Sequence, residues 1–171
     1  MNNFQSALVL SIWATASTAM AGDGQKADET LCAPHEDIYF SCKLQDTEKM
    51  VSVCASKNDT PDTGYVQYRY GNKSKLDFLY PKEKIPPRNK FSFVDVSRLA
   101  EGRGSHLKFS SGNFKYIVSN ALAPGEIYVV KGDKKVFDKV CAGSEYMPFP
   151  YKAEHGIQYG VEEKVDALDN H

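Results

Sequence analysis

The sequence predicts an all-β protein, an antiparallel meander of about eight to nine strands closed as a small barrel or sandwich and stabilised by disulfides. Three observations support this fold class. β-Branched and aromatic residues alternate through the middle of the chain, and Gly, Asn, Asp and Pro separate the alternating runs. Most connections between the runs are short, which suits antiparallel neighbours and rules out parallel crossovers.

Nine alternating runs account for the predicted strands. They cover residues 37–44, 49–55, 65–71, 75–80, 90–96, 105–110, 113–119, 126–131 and 135–140. Two longer breaks, 56–64 and 81–89, are predicted to be surface loops. The second break contains paired prolines, which cannot donate to a sheet ladder.

Residues 1–21 have the pattern of a secretory signal peptide. An apolar run at 7–18 is followed by Ala19-Met20-Ala21, the small-x-small pattern that signal peptidase prefers. The run is shorter than the roughly 20 apolar residues that span a bilayer. We therefore expect a periplasmic or secreted protein without a membrane anchor.

The chain after this leader suits one domain with a core of its own. We expect a mobile, polar N-terminal segment at 22–35, the β-domain at 36–142 and a C-terminal extension at 143–171. The last eleven residues, VEEKVDALDNH, leave two alternatives open, a short helix or a frayed end.

The charge balance narrows the classes of partner. The chain has 21 basic and 22 acidic residues, a formal net charge of −1. Such a balance argues against nucleic acid or an anionic membrane as the partner.

The four cysteines are Cys32, Cys42, Cys54 and Cys141. An even number of cysteines in an exported chain predicts two disulfides, and three connectivities are open. The sequence has no CxxC motif, and its histidines are scattered without ligand spacing. We therefore expect no metal site and no cofactor.

Catalytic patterns are missing from the sequence, so we expect a protein that is not an enzyme. The serines fall in turns, the cysteines are expected to be oxidised, and no histidine stands near a serine or aspartate in a catalytic arrangement. His106, at the start of a strand, is interpreted as a surface residue rather than a general base.

Two predicted turns form a candidate site. In a meander, turns alternate between the two ends of the sheet, so the Ser111-Gly112 turn and the Gly132-Asp133 turn should lie at the same end. Adjacent strands are about 4.8 Å apart, so the two tips should be on the order of 10 Å from each other. Ser111 and Lys131 can then act together, although glycine's freedom in tight turns also explains the pattern.

These residues resemble a family, the bacterial periplasmic inhibitors of lysozyme, especially those of the c-type enzyme. The matching motifs are a Ser-Gly pair, here Ser111-Gly112, and a later Tyr-x-x-Lys-Gly, here Tyr128 to Gly132. The resemblance implies export, a small antiparallel β-barrel, and inhibition of a lysozyme partner by occluding its active-site cleft without covalent chemistry.

The resemblance also implies roles for individual residues. The Ser111 hydroxyl would donate to one catalytic carboxylate, Gly112 would let the backbone approach closely, and the Lys131 ammonium would pair with the second carboxylate. Tyr128 is interpreted as packing beside the lysine stem or at the rim, or as a plain strand aromatic. Phe114 stands where inhibitors of the invertebrate-type enzyme carry Tyr in Ser-Gly-x-Tyr.

A disulfide between the first strand and the C-terminal part of the domain is typical of that family, which implies Cys42 with Cys141. Cys32 is then left for Cys54. Closure of the sheet, with the last strand beside the first, favours the same pairs.

The register of the first hairpin argues against joining Cys42 to Cys54. A short turn after the first strand places Cys42 opposite Val51 and Cys54 opposite Tyr39. The two cysteines then point to opposite faces of the sheet and are poor partners.

A secreted binding module of unknown ligand is the alternative function. Its signal is the run YVQYRY, in which Tyr65, Tyr68 and Tyr70 accompany Arg69. We interpret this run as an exposed recognition strip or as cross-strand aromatic pairs.

Overall fold

The computed structural model describes residues 30–97, 104–121, 124–143 and 148–160. These residues form nine strands and one short helix. The strands are β1 (Asp37–Lys43), β2 (Met50–Ala55), β3 (Val66–Asn72), β4 (Lys75–Tyr80), β5 (Ser92–Asp95), β6 (Ser105–Ser111), β7 (Phe114–Ser119), β8 (Glu126–Lys131) and β9 (Lys134–Val140), and the helix is α1 (Tyr151–Gly156). All nine predicted strands are present, and their bounds differ from the prediction by at most two residues.

The strands form two antiparallel sheets instead of one continuous meander. The first sheet has the order β1-β2-β3-β4 and the second β5-β6-β7-β8-β9. Between the described strands β4 and β5 the ladder is broken, and the intervening segment contains Pro81, Pro86 and Pro87. Since proline has no N–H to donate, this segment cannot continue the pairing.

The two sheets are joined at one corner. Leu44 and Cys141 form an antiparallel bridge, and the Gln45 N–H donates to the Val140 carbonyl oxygen at 3.0 Å. The Cys42–Cys141 disulfide lies at the same corner, and the other disulfide joins Cys32 to Cys54. The predicted connectivity is therefore confirmed.

The register of the β1–β2 hairpin explains why Cys42 and Cys54 are not bonded to each other. Cys42 lies opposite Val51, as predicted, but Cys54 lies opposite Ile38 and not opposite Tyr39. The difference comes from a β-bulge between Ile38 and Phe40, which adds one residue to β1. Val51 and Cys54 are three residues apart on β2, so the two cysteines still point to opposite faces.

Inward-facing side chains of both sheets share one hydrophobic core. Burial of each large apolar side chain contributes roughly 1.5–3 kcal/mol. Fully buried members are Phe40, Val51, Val53 and Val66 from the first sheet and Leu107, Val118 and Ile127 from the second.

The outer face of the first sheet is covered as well, so every residue of β2 is buried. The cover is the chain at residues 30–36, where the Leu31 N–H donates to the Ser52 hydroxyl at 2.9 Å and Cys32 is bonded to Cys54. Residues 30–35 belong to the segment predicted to be mobile, and here they are bonded to the sheet.

The helix α1 was not predicted and is part of the core. Its Ala153 and the following Ile157 are buried, and Phe149 packs against Phe40 and Phe93. At six residues it is far too short to cross a bilayer, and no other helix is described. The final segment with its helix-or-frayed-end alternative lies outside the described residues.

A buried asparagine fastens the helix to the first sheet. The Asn58 side chain, fully buried in the predicted surface loop 56–64, donates to the Gly156 carbonyl oxygen at 2.8 Å. Its Oδ1 accepts from the Tyr39 hydroxyl at 2.7 Å. A Cβ on Gly156 would lie 2.4 Å from that hydroxyl, so the close packing requires glycine here.

Candidate functional site

The two candidate turns lie at the same end of the second sheet. β6, β7, β8 and β9 are consecutive neighbours, so the β6–β7 and β8–β9 turns share an end, as the meander predicts. Ser111 pairs with Phe114 across the first turn, and Lys131 pairs with Lys134 across the second. Gly112 provides the positive φ (+58°) that the first turn requires.

The side chains of the two turns meet. The Lys131 Nζ lies 5.4 Å from the centroid of the Phe114 ring, within the range of a cation–π contact. The contact follows from the register, since Lys115 pairs with Val130 and the next positions along β7 and β8 are Phe114 and Lys131. Both side chains are exposed, so the pair is available to a partner.

The tips of the turns protrude into open space. A Cβ built on Gly112 or on Gly132 would meet no atom within 4 Å. Ser111 is half-buried and borders a groove of about 860 Å³ beside β4 and the loop after it. The backbone at these tips can therefore approach another surface closely, with Ser111 and Lys131 beside it.

Tyr128 lies away from this pair. Side chains alternate along β8, so Tyr128 points to the face opposite Lys131. It is 2 % exposed, packs with Ile117 and Val130, and lies beneath the Lys135 Nζ at 4.8 Å from its ring centroid. Of the interpretations of Tyr128, the structure agrees with the plain strand aromatic.

His106 was wrongly interpreted as a surface residue. It is 2 % exposed, and its ring lies 6.3 Å from that of Tyr128 in an edge-on arrangement. β6 and β8 both pair with β7, and their register places both rings on one face of the second sheet.

Of the two interpretations of the YVQYRY run, the exposed strip is wrong, and cross-strand aromatic pairs are present, with Tyr68 opposite Tyr80 and Tyr70 opposite Phe78. Tyr68 is 2 % exposed, and both Tyr68 and Tyr70 belong to the core side of β3. Arg69 points to the opposite face, where it is buried with Glu36. Tyr65 precedes the strand and donates its hydroxyl to Glu36 at 2.7 Å.

Arg69 and Glu36 form a hydrogen-bonded ion pair that was not predicted from the sequence. The guanidinium donates to both oxygens of Glu36, at 2.7 and 2.6 Å, and to the Leu31 carbonyl oxygen and Gln67 Oε1 at 2.9 Å each. Burial raises the pKa of Glu36, but the hydrogen bonds from Arg69, the Ala33 N–H and Tyr65 outweigh burial and lower that pKa to about 2. A carboxylate of such low basicity is structural and is a poor general base.

Three potential metal ligands meet beside this pair but are committed to other bonds. The Cys32 and Cys54 sulfurs and a Glu36 oxygen lie within 4.8 Å of one another. The two sulfurs are joined to each other, and Glu36 is paired with Arg69. In the disulfide form this cluster offers no thiolate to an ion.

The two regions singled out in the sequence meet at one cavity. Phe114 from the turn and Tyr68 and Tyr70 from the YVQYRY run line a space of about 280 Å³ between the sheets. The sequence signal for this arrangement is spacing: residues two apart in a strand share a face, as do Tyr68 with Tyr70 and Phe114 with Tyr116. That spacing does not determine which strand faces lie opposite each other in the folded protein.

Compared with known proteins, the chain matches no protein-family model, no curated protein and no solved structure.

Proposed function

We propose that this protein is an exported inhibitor that occludes the active-site cleft of a lysozyme with its β6–β7 and β8–β9 turns. The observation that carries the proposal is the contact between the turns, in which the Lys131 ammonium lies over the Phe114 ring and both glycine tips project into open space. We choose a lysozyme as the partner because the Ser-Gly and Tyr-x-x-Lys-Gly motifs resemble those of periplasmic lysozyme inhibitors.

The chemistry of a lysozyme cleft suits these turns. Such a cleft holds two catalytic carboxylates and must stay open to admit a glycan. The Ser111 hydroxyl donates to one carboxylate, and the Lys131 ammonium pairs with the other where water is excluded. Gly112 and Gly132 have no side chains to hold the backbone away from the cleft walls. Inhibition is occlusion and needs no covalent step.

The proposal also includes export of the protein. Two disulfides fit an oxidising compartment, and the pattern of residues 1–21 is that of a signal peptide. We expect the exported protein to begin at Gly22, in the periplasm or in the medium. Intact-mass measurement of the exported protein tests this, and retention of Met1 would contradict it.

We infer that the two sheets together make a partly open barrel. The Leu44–Cys141 bridge joins the sheets on one side. On the other side β4 and β5 do not pair with each other, and the edge of β5 instead forms a bridge between Phe93 and Tyr159. Amide hydrogen exchange tests the inference: solvent-facing edge amides of β4 should exchange faster than those at the Cys42–Cys141 corner.

Lysozyme assays test the function directly. Purified protein is titrated against c-, g- and i-type lysozymes acting on cell walls, and loss of turbidity is followed. We expect inhibition of at least one class. Ser111→Ala and Lys131→Ala should each weaken inhibition by about 1–3 kcal/mol, with the larger loss for Lys131 because its carboxylate partner is left unpaired.

A matched control separates the site from general charge effects. Lys57 is exposed in the loop between β2 and β3, outside the two turns, so Lys57→Ala should leave inhibition unchanged. The double variant of Ser111 and Lys131 should show a non-additive loss, since both residues would contact one network. A folded, disulfide-bonded protein that inhibits no lysozyme would exclude the proposal.

A further inference from the structure

The cavity between the sheets has the shape and lining of a small-molecule site. It lies between β3 and β4 on one side and β7, β8 and β9 on the other, with a volume of about 280 Å³. Exposed Phe114 and Val136 (37 % and 48 % exposed) border it, so solvent reaches it at this end. Six of its lining residues are aromatic: Tyr68, Tyr70, Phe78, Phe114, Tyr116 and Phe137.

The aromatic walls are ordered into parallel and perpendicular rings. Phe78 and Tyr116 stack at 4.9 Å with an interplanar angle of 8°, and Tyr116 stacks on Phe109 at 4.7 Å with 4°. Tyr70 meets Phe137 edge to face at 5.9 Å. Stacked and edge-to-face contacts are the two arrangements that aromatic rings prefer. The rings make these contacts with each other across the space between the sheets. A planar ligand beside them can add contacts of both kinds, whereas a puckered ring cannot stack.

Charge narrows the class of ligand further. Among the described residues that line the cavity, Asp77 is the single charged one. Its Oδ2 accepts a hydrogen bond from the Lys49 Nζ at 2.5 Å, so its charge is already balanced within the first sheet. The lining therefore offers no uncompensated charge to an ionic ligand, and the tyrosine side chains provide its other polar groups.

We propose that this cavity binds a neutral, planar aromatic molecule of one or two fused rings. A dry apolar cavity of about 150 Å³ accepts benzene, so the larger space here has room for a second ring. Burial of the ring against six aromatic side chains removes apolar surface from water and supplies the driving force. The site is distinct from the turn tips Ser111-Gly112 and Lys131-Gly132, although Phe114 borders both.

Calorimetric titration of the purified protein with indole tests the proposal. Cyclohexanol serves as the puckered comparison, and we expect saturable 1:1 binding of indole with at least about 10-fold weaker binding of cyclohexanol. Val136→Trp places a large side chain at the cavity border and should weaken indole binding at least about 10-fold. Val140→Trp is the matched control on the same strand, because Val140 is also exposed (36 %) but does not line the cavity.

Each outcome decides the proposal. Loss of indole binding in Val136→Trp with retention in Val140→Trp supports it, provided that both variants unfold at the wild-type temperature. Absence of indole binding to the wild type, equal binding by both variants, or equal affinity for cyclohexanol overturns it. Indole binding and lysozyme inhibition are measured separately on the same wild-type protein, so failure of one proposal is distinguishable from failure of the other.

Discussion

Lys131 and Arg69 are both basic residues on β-strands, but Lys131 is exposed and Arg69 is buried. Each follows alternating aromatic and β-branched residues, but Lys131 lies exposed at a turn over one ring, while Arg69 lies in mid-strand beneath residues 30–36 with four hydrogen bonds. A charge at a turn tip keeps its water and can bind a partner. A charge under a cover must be paired within the fold, because desolvation is costly.

The largest expected effect is on the stability of the covered pair. Glu36→Gln leaves the Arg69 guanidinium buried without its counter-charge, which should lower the free energy of unfolding by about 3–5 kcal/mol in urea titrations. Glu48→Gln is the matched control, because Glu48 pairs with Lys43 at the surface with its side chain 86 % exposed. That change should cost less than about 1 kcal/mol. Equal losses would contradict the contrast between the two regions.

The pH dependence of stability also tests how much the Glu36–Arg69 pair contributes. Glu36 has a pKa of about 2 in the folded protein against an ordinary value of 4.5. A lowered carboxyl pKa contributes stability that is present above pH 4.5 and is lost as the pH falls towards 2. The loss should be about 2–3 kcal/mol.

The pH effect is measured as a difference between two proteins. The stability gap between wild type and Glu36→Gln should narrow as the pH falls from 4.5 to 2, because protonated Glu36 is neutral like glutamine. Other carboxylates titrate equally in both proteins and cancel. A gap that stays constant over this range would contradict the assignment.

Backbone strain at the turn tip should have a smaller effect. Gly112→Ala forces an L-residue to φ +58° in open space, which should cost about 1 kcal/mol of unfolding free energy. At Gly71→Ala a Cβ would also lie 2.4 Å from the Lys75 carbonyl oxygen, so that variant should lose more. Thermal unfolding of both variants gives the comparison, and a reversed order would contradict it.

The smallest expected effect is on the stability of Lys131→Ala. Its exposed contact with Phe114 is worth about 0.5–1 kcal/mol at most, so the melting temperature should change by only a few degrees. Together with a loss of inhibition, this result would place the role of Lys131 in binding. A large drop in melting temperature would instead place it in the fold.

Local patterns determined much of this protein by themselves. Alternating residues located all nine strands, since a strand's two-residue period is a property of its own side chains. Consecutive pairing in β6 to β9 brought the Ser111 and Lys131 turns to one end. The opposite faces of Cys42 and Cys54 followed from the same period and excluded a bond between them.

Only the tertiary structure decided which faces are covered and by what. In β3 the apolar Val66, Tyr68 and Tyr70 alternate with polar residues, yet both faces are buried, one by the opposite sheet and the other by residues 30–36. The polar face in the sequence therefore did not correspond to a face open to solvent. The sequence left Tyr68 and Tyr70 either in an exposed strip or in cross-strand aromatic pairs, and it did not predict the Glu36–Arg69 pair or the aromatic cavity. Alternation fixes which side chains of one strand share a face, but the partner of that face comes from distant parts of the chain, as Asn58 and Gly156 show across a separation of 98 residues.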